Sequence, residues 1–102
     1  MEITENELKT KIDNGEKMIV DFWAPWCGPC KMMKPIFENV AKTSEIPMYT
    51  INVDENRGIA VELGVRAIPT IKSFNEGKEV SSKAGLLLET QLKELINNLI
   101  NG

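Results

Sequence analysis

The stretch Asp21-Phe22-Trp23-Ala24-Pro25-Trp26-Cys27-Gly28-Pro29-Cys30-Lys31 decides how this chain folds. It is entered through an almost continuous apolar run, Met18-Ile19-Val20-Asp21-Phe22-Trp23, of the kind found in a strand covered on both faces. It is left through Met33, Ile36, Phe37, Val40 and Ala41, which recur at helical spacing. The two cysteines therefore sit in a strand-to-helix turn, at the point where a helix begins. Pro35, inside the helical pattern, predicts a kink.

Upstream, Thr4 and Glu7 have the spacing of a capping box, and Leu8 with Ile12 gives a short helix an apolar stripe before Gly15. Downstream, Pro47 to Val53 reads as a second apolar strand ended by Asp54, and Ile59, Ala60 and Leu63 mark a short helix closed by Gly64. Thr70 to Phe74 reads as a strand, Asn75-Glu76-Gly77 as a turn, and Lys78 to Lys83 as the antiparallel partner, because so short a connection cannot cross over. Leu88, Leu92, Leu95, Ile96 and Leu99 stripe a final helix. The signals are met together by an α/β fold in a single domain, residues 1–102: a central mixed sheet of four to five strands with about four helices on its two faces.

A chain of 102 residues, 42% hydrophobic and 26% charged, is an ordinary globular domain, with no apolar run near the roughly 20 residues of a membrane span. The start, Met1-Glu2-Ile3-Thr4-Glu5-Asn6-Glu7, is acidic and polar, unlike a secretory signal, so a soluble, cytoplasmic protein is expected. A net charge of −3 with scattered basic residues gives no footprint for nucleic acid or an anionic membrane. With two cysteines and no histidine, the chemistry available is that of sulfur, carboxylate, backbone and amine.

Four readings of Cys27 and Cys30 compete. A metal site wants four soft or nitrogen ligands, which two cysteines supply only between two chains. Haem attachment needs a histidine where Lys31 stands. Two cysteines that merely pack remain the bland reading. Redox work is the sharp one, for a physical reason. At a helix N-terminus, free backbone N–H groups and the positive end of the helix dipole stabilise a thiolate at Cys27. One turn later, Cys30 is expected beneath it and better shielded, placed to resolve a mixed disulfide. Pro29 suits the first helical turn, and Gly28 leaves the sulfur approachable. Asp21 reads either as a carboxylate finding water at a strand end or, between Val20 and Phe22 in a buried strand, as a desolvated acid with a raised pKa suited to proton exchange with Cys30.

The quoted stretch, with Pro35, Ile68-Pro69-Thr70, Phe74 before Asn75-Glu76-Gly77, and Gly85, closely resembles the thioredoxin family, itself the type example of Cys-x-x-Cys in a βαβ setting. The resemblance runs over essentially the whole chain. It implies the thioredoxin fold and a protein-disulfide reductase acting by dithiol–disulfide exchange, with a redox-active Cys27–Cys30 disulfide, in electron transport and cell redox homeostasis. It implies no bound cofactor, a monomer, disulfide-containing protein substrates, and recharging by a thioredoxin reductase. Asp21 then exchanges its proton with Cys30 through a water, although where many relatives carry a lysine nearby this chain has Thr50. Pro69 is expected to be cis and to face the cysteines, so that the backbone of Ile68 pairs with an extended substrate segment. Trp26, Gly28, Pro29, Ile68, Pro69, Ala84 and Gly85 then form a flat, mostly apolar docking surface, with Gly85 small so that a partner can approach.

Two other functions stay in view: an oxidase or isomerase of the same fold, and a docking module whose redox activity is incidental. Gly28-Pro29 resembles the reductant dipeptide and favours the reductase. Met32 and Met33 read as core or contact surface, Phe22 as core, and Trp23 as packing on the turn. Lys72 is expected to lay its stem along the sheet and send its amine to water. Leu88, where relatives often have a serine, is expected to leave the last helix without a side-chain cap, at a cost of about 0.5 to 2 kcal/mol.

Overall fold

The computed structural model describes residues 1–102. The apolar run becomes β1 (Met18–Trp23), and the turn that carries the cysteines leads into helix α2 (Gly28–Ala41), which runs on through Pro35. Before them lies α1 (Glu5–Asp13), and after them β2 (Met48–Asn52), α3 (Arg57–Glu62), β3 (Thr70–Asn75), β4 (Lys78–Ala84) and α4 (Glu89–Asn101). The sheet order is β2-β1-β3-β4. β1 pairs with β2 in parallel, as a helical crossover requires, and with β3 antiparallel; β3 and β4 form the hairpin. The mixed sheet thus has four strands, and an isolated parallel bridge between Glu2 and Thr50 lays the first residues along the outer edge of β2.

Alternation along β1 divides two cores. Met18, Val20 and Phe22 pack with Leu8, Ile51, Ile59 and Phe74 under α1 and α3. Ile19 packs on the other face with Met33, Phe37, Val40, Leu92 and Leu99 from α2 and α4. Asp21, two residues after Ile19, falls on that second face, next to the helix that carries Cys30. β1 is buried on both sides, which accounts for its unbroken apolar run. The outer strand β4 is largely exposed and carries Lys78, Glu79 and Lys83, charges that discourage pairing with another chain.

The capping box forms as the spacing predicts: the Thr4 hydroxyl accepts from the Glu7 N–H and the Glu7 carboxylate from the Thr4 N–H. Helix α3 is capped from outside its own sequence, for Glu5 of α1 accepts from the Ile59 N–H at 3.0 Å. Lys72 departs from expectation. Its amine does not reach water but is buried between Glu79 Oε1, at 2.7 Å, and Ser82 Oγ, at 3.1 Å: Ser82 is its partner across the hairpin, and Glu79, paired with Phe74 beyond the register shift, reaches back to it along β4. Leu88 indeed offers no cap to α4, yet its own N–H is taken by Gln91 Oε1 at 2.8 Å. Met33 is buried and Met32 exposed, the core and surface positions expected of an amphipathic helix.

Candidate active site

Cys27 is the N-cap of α2, with extended backbone angles, and its Sγ accepts a hydrogen bond from the Cys30 N–H at 3.2 Å. The two sulfurs are joined in a disulfide across a Cα–Cα separation of 5.2 Å. The two cysteines are shielded almost equally, Cys27 being 4% exposed and Cys30 3%. The Cys27 sulfur lies 3.7 Å from the carbonyl oxygen of Ile68. What distinguishes the two cysteines is their surroundings. Cys27 lies beside Ile68, whereas Cys30 lines an open cleft of about 880 Å³ whose wall includes Asp21, Phe37 and Thr50.

Asp21 is 3% exposed, and its Oδ1 has no hydrogen-bond partner. Burial, with a smaller contribution from the negative charge of Glu2, pushes its carboxyl up to about 7. Its cross-strand neighbour is Thr50, so the sheet places no cation opposite it. Glu2 was not among the residues singled out in the sequence. Its Oε1 accepts from the Trp23 indole N–H and the Thr50 hydroxyl, and its Oε2 from the Asn52 N–H at 2.8 Å. No local pattern marks it, since its partners lie 21 to 50 residues away.

The Ile68–Pro69 peptide is cis, as expected, and brings Ile68 against Cys27. The Ile68 N–H has no partner within the chain. Trp26 is 68% exposed and held by its indole N–H on Asp54 Oδ2 at 2.9 Å. Gly28 and Pro29 are exposed, and a Cβ at Gly28 would meet nothing within 4 Å. At Gly85 the backbone itself requires glycine, because φ is +93° while the space beyond is open. Its N–H donates to the Pro69 carbonyl at 2.8 Å, tying the end of β4, where Ala84 lies exposed, to the cis peptide.

The thioredoxin family model matches residues 1–98. The chain belongs to the thioredoxin family. It is 37% identical to thioredoxin from Porphyra purpurea, over 98% of this chain and 96% of the relative, and 38% identical to thioredoxin from Rickettsia felis, over 96% of each. In structure it resembles a point mutant of thioredoxin from Halobacterium salinarum NRC-1, with a TM-score of 0.88 at 35% identity over 97% of this chain and 88% of that one. It also resembles Plasmodium falciparum thioredoxin, with a TM-score of 0.86 at 32% identity over 95% and 96%. The chain therefore has the thioredoxin fold and is a thiol–disulfide oxidoreductase whose chemistry is dithiol–disulfide exchange. No helix is long and apolar enough to cross a membrane.

Proposed function

We propose that this thioredoxin-family chain is a general protein-disulfide reductase in which Cys27 attacks, Cys30 resolves and Asp21 handles the proton. The observation that carries the reading is the N-cap position of Cys27 with the Cys30 N–H on its sulfur. In the reduced protein the same N–H and the helix N-terminus stabilise a thiolate. That thiolate attacks one sulfur of a substrate disulfide, forms a Cys27–substrate disulfide and expels the other substrate sulfur as a thiolate. Cys30 then gives up its proton and attacks the Cys27 sulfur, which closes the Cys27–Cys30 disulfide and releases the second substrate thiolate. The substrate gains the two electrons that the pair loses.

Asp21 is the base for Cys30. It shares the cleft with that residue, and a carboxyl titrating at about 7 is far better matched to a thiol than an ordinary one. The unpaired Oδ1 is left free to bond a relay partner such as water. Substrate docks over Trp26, Gly28, Pro29, Ile68, Ala84 and Gly85, with its backbone paired to Ile68, while Pro69, expected on that surface, has its side chain fully buried beneath it. The unpartnered Ile68 N–H supports that pairing. The reading extends to one domain working as a monomer in the cytoplasm, where thiols are kept reduced, with a thioredoxin reductase returning the electrons. The test is reduction of insulin by dithiothreitol, followed as turbidity. The wild type accelerates it and Cys27→Ser does not; a folded wild type without effect would overturn the proposal.

A further inference from the structure

Glu2 is held over the Asp21 cleft by contacts that all come from the residues around that acid. Trp23 follows Asp21 by two positions and shares its face of β1, Thr50 is its cross-strand partner, and Asn52 continues the same strand. Neighbours at these offsets lie about 5 to 7 Å apart, so the sheet register itself brings the two carboxyl groups within range of one another. Three donors converge on Glu2, whereas Asp21 Oδ1 has none. A buried carboxyl with an unmet oxygen is better off holding its proton, so Asp21 resists ionising while Glu2 is fixed in place beside it.

We infer that Glu2 is a positioning residue for the disulfide-exchange reaction: pinned by Trp23, Thr50 and Asn52, its carboxylate supplies the like charge that strengthens Asp21 as the base for Cys30. The inference rests on the relay role given to Asp21 above. The other charged groups around the cleft are Lys31, Lys34 and Glu38 on α2 and Lys42 at its C-cap, all exposed; the Met1 amine is engaged by the Met48 carbonyl at 3.3 Å. None of them forms a hydrogen bond or ion pair with Asp21. The uncharged Thr50 leaves Glu2 as the charge that acts from the sheet side.

The Asp21 carboxyl can be titrated by carbon NMR in the intact, oxidised protein, in wild type, Glu2→Gln and Glu2→Lys. The midpoint is expected to fall by roughly 0.5 to 1 pH unit when the charge is removed, and by a similar further step when it is reversed. A midpoint unchanged in Glu2→Gln overturns the inference. So does a fall of equal size in both variants, because loosening of the first residues would admit water without regard to the sign of the charge. The titration is read without turnover, whereas the relay itself is tested by insulin reduction in Asp21→Asn, so the two failures are distinguishable.

Discussion

Replacing Asp21 by asparagine should stabilise the protein at high pH and lose that advantage in acid. Asp21 is 3% exposed, with an unpaired Oδ1, and its carboxyl is raised from the ordinary 3.8 to about 7 by burial and then by Glu2. The sign follows from proton counting. Between those two values the folded state holds a proton that the unfolded state has released, so stability falls as pH rises through the interval. At about 1.4 kcal/mol per pH unit the loss accumulates to about 4 kcal/mol by pH 8. Asparagine has no charge to bury, and any hydrogen bond its amide fails to make costs about 1 to 3 kcal/mol, an amount that does not vary with pH. The diagnostic quantity is therefore the change in the stability difference, not its value at one pH. Urea unfolding of the oxidised wild type and Asp21→Asn at pH 4 and pH 8 measures it. The advantage of the variant should grow by about 4 kcal/mol between the two. A difference independent of pH would refute the reasoning, since it would mean that Asp21 titrates alike in folded and unfolded protein.

The buried amine of Lys72 gives an opposed pair of outcomes in urea unfolding: Glu79→Gln should cost about 1 to 3 kcal/mol by leaving the ammonium without its anion, while Lys72→Met should lie within about 1 kcal/mol of wild type. Gly85→Ala should cost about 1 to 2 kcal/mol in thermal or urea unfolding from its φ of +93° alone, because the added methyl meets nothing within 4 Å. Trp26→Ala should raise the KM for a protein disulfide more than it changes the folding free energy, as the indole is 68% exposed and tethered only by Asp54. Equilibration with glutathione should place the Cys27–Cys30 couple toward the reducing end of the dithiol scale, at about −270 mV, which is thioredoxin's own value, and away from the oxidants near about −120 mV.

The strand-turn-helix that carries the cysteines was legible because each part is local: a run buried on both faces, a turn, and a stripe at helical spacing. Asp21 stood out for the same reason, as the one charge inside an apolar strand. What the sequence concealed depends on pairing between distant strands. Lys72 looked destined for water because Ser82 comes opposite it, and Glu79 within reach from its place opposite Phe74, only through the register of the hairpin. Glu2 looked like one of several acidic residues near the start, and its place over Asp21 depends on the Glu2–Thr50 bridge along β2. The near-equal burial of the two cysteines was not legible either, since a helix turn predicts which sulfur leads but not how deeply each one lies. Gly85 stands out in the sequence, but the backbone angle that requires glycine there is visible only in the fold.

The most direct test of the account is to trap the attacking sulfur. Cys30→Ser, reduced and mixed with an oxidised protein substrate, should accumulate a mixed disulfide that peptide mapping locates on Cys27, because the resolving thiol is gone. The matching Cys27→Ser variant should accumulate none. A folded Cys30→Ser protein that forms no adduct, or a Cys27→Ser protein that traps substrate on Cys30, would contradict the assignment of Cys27 as the nucleophile.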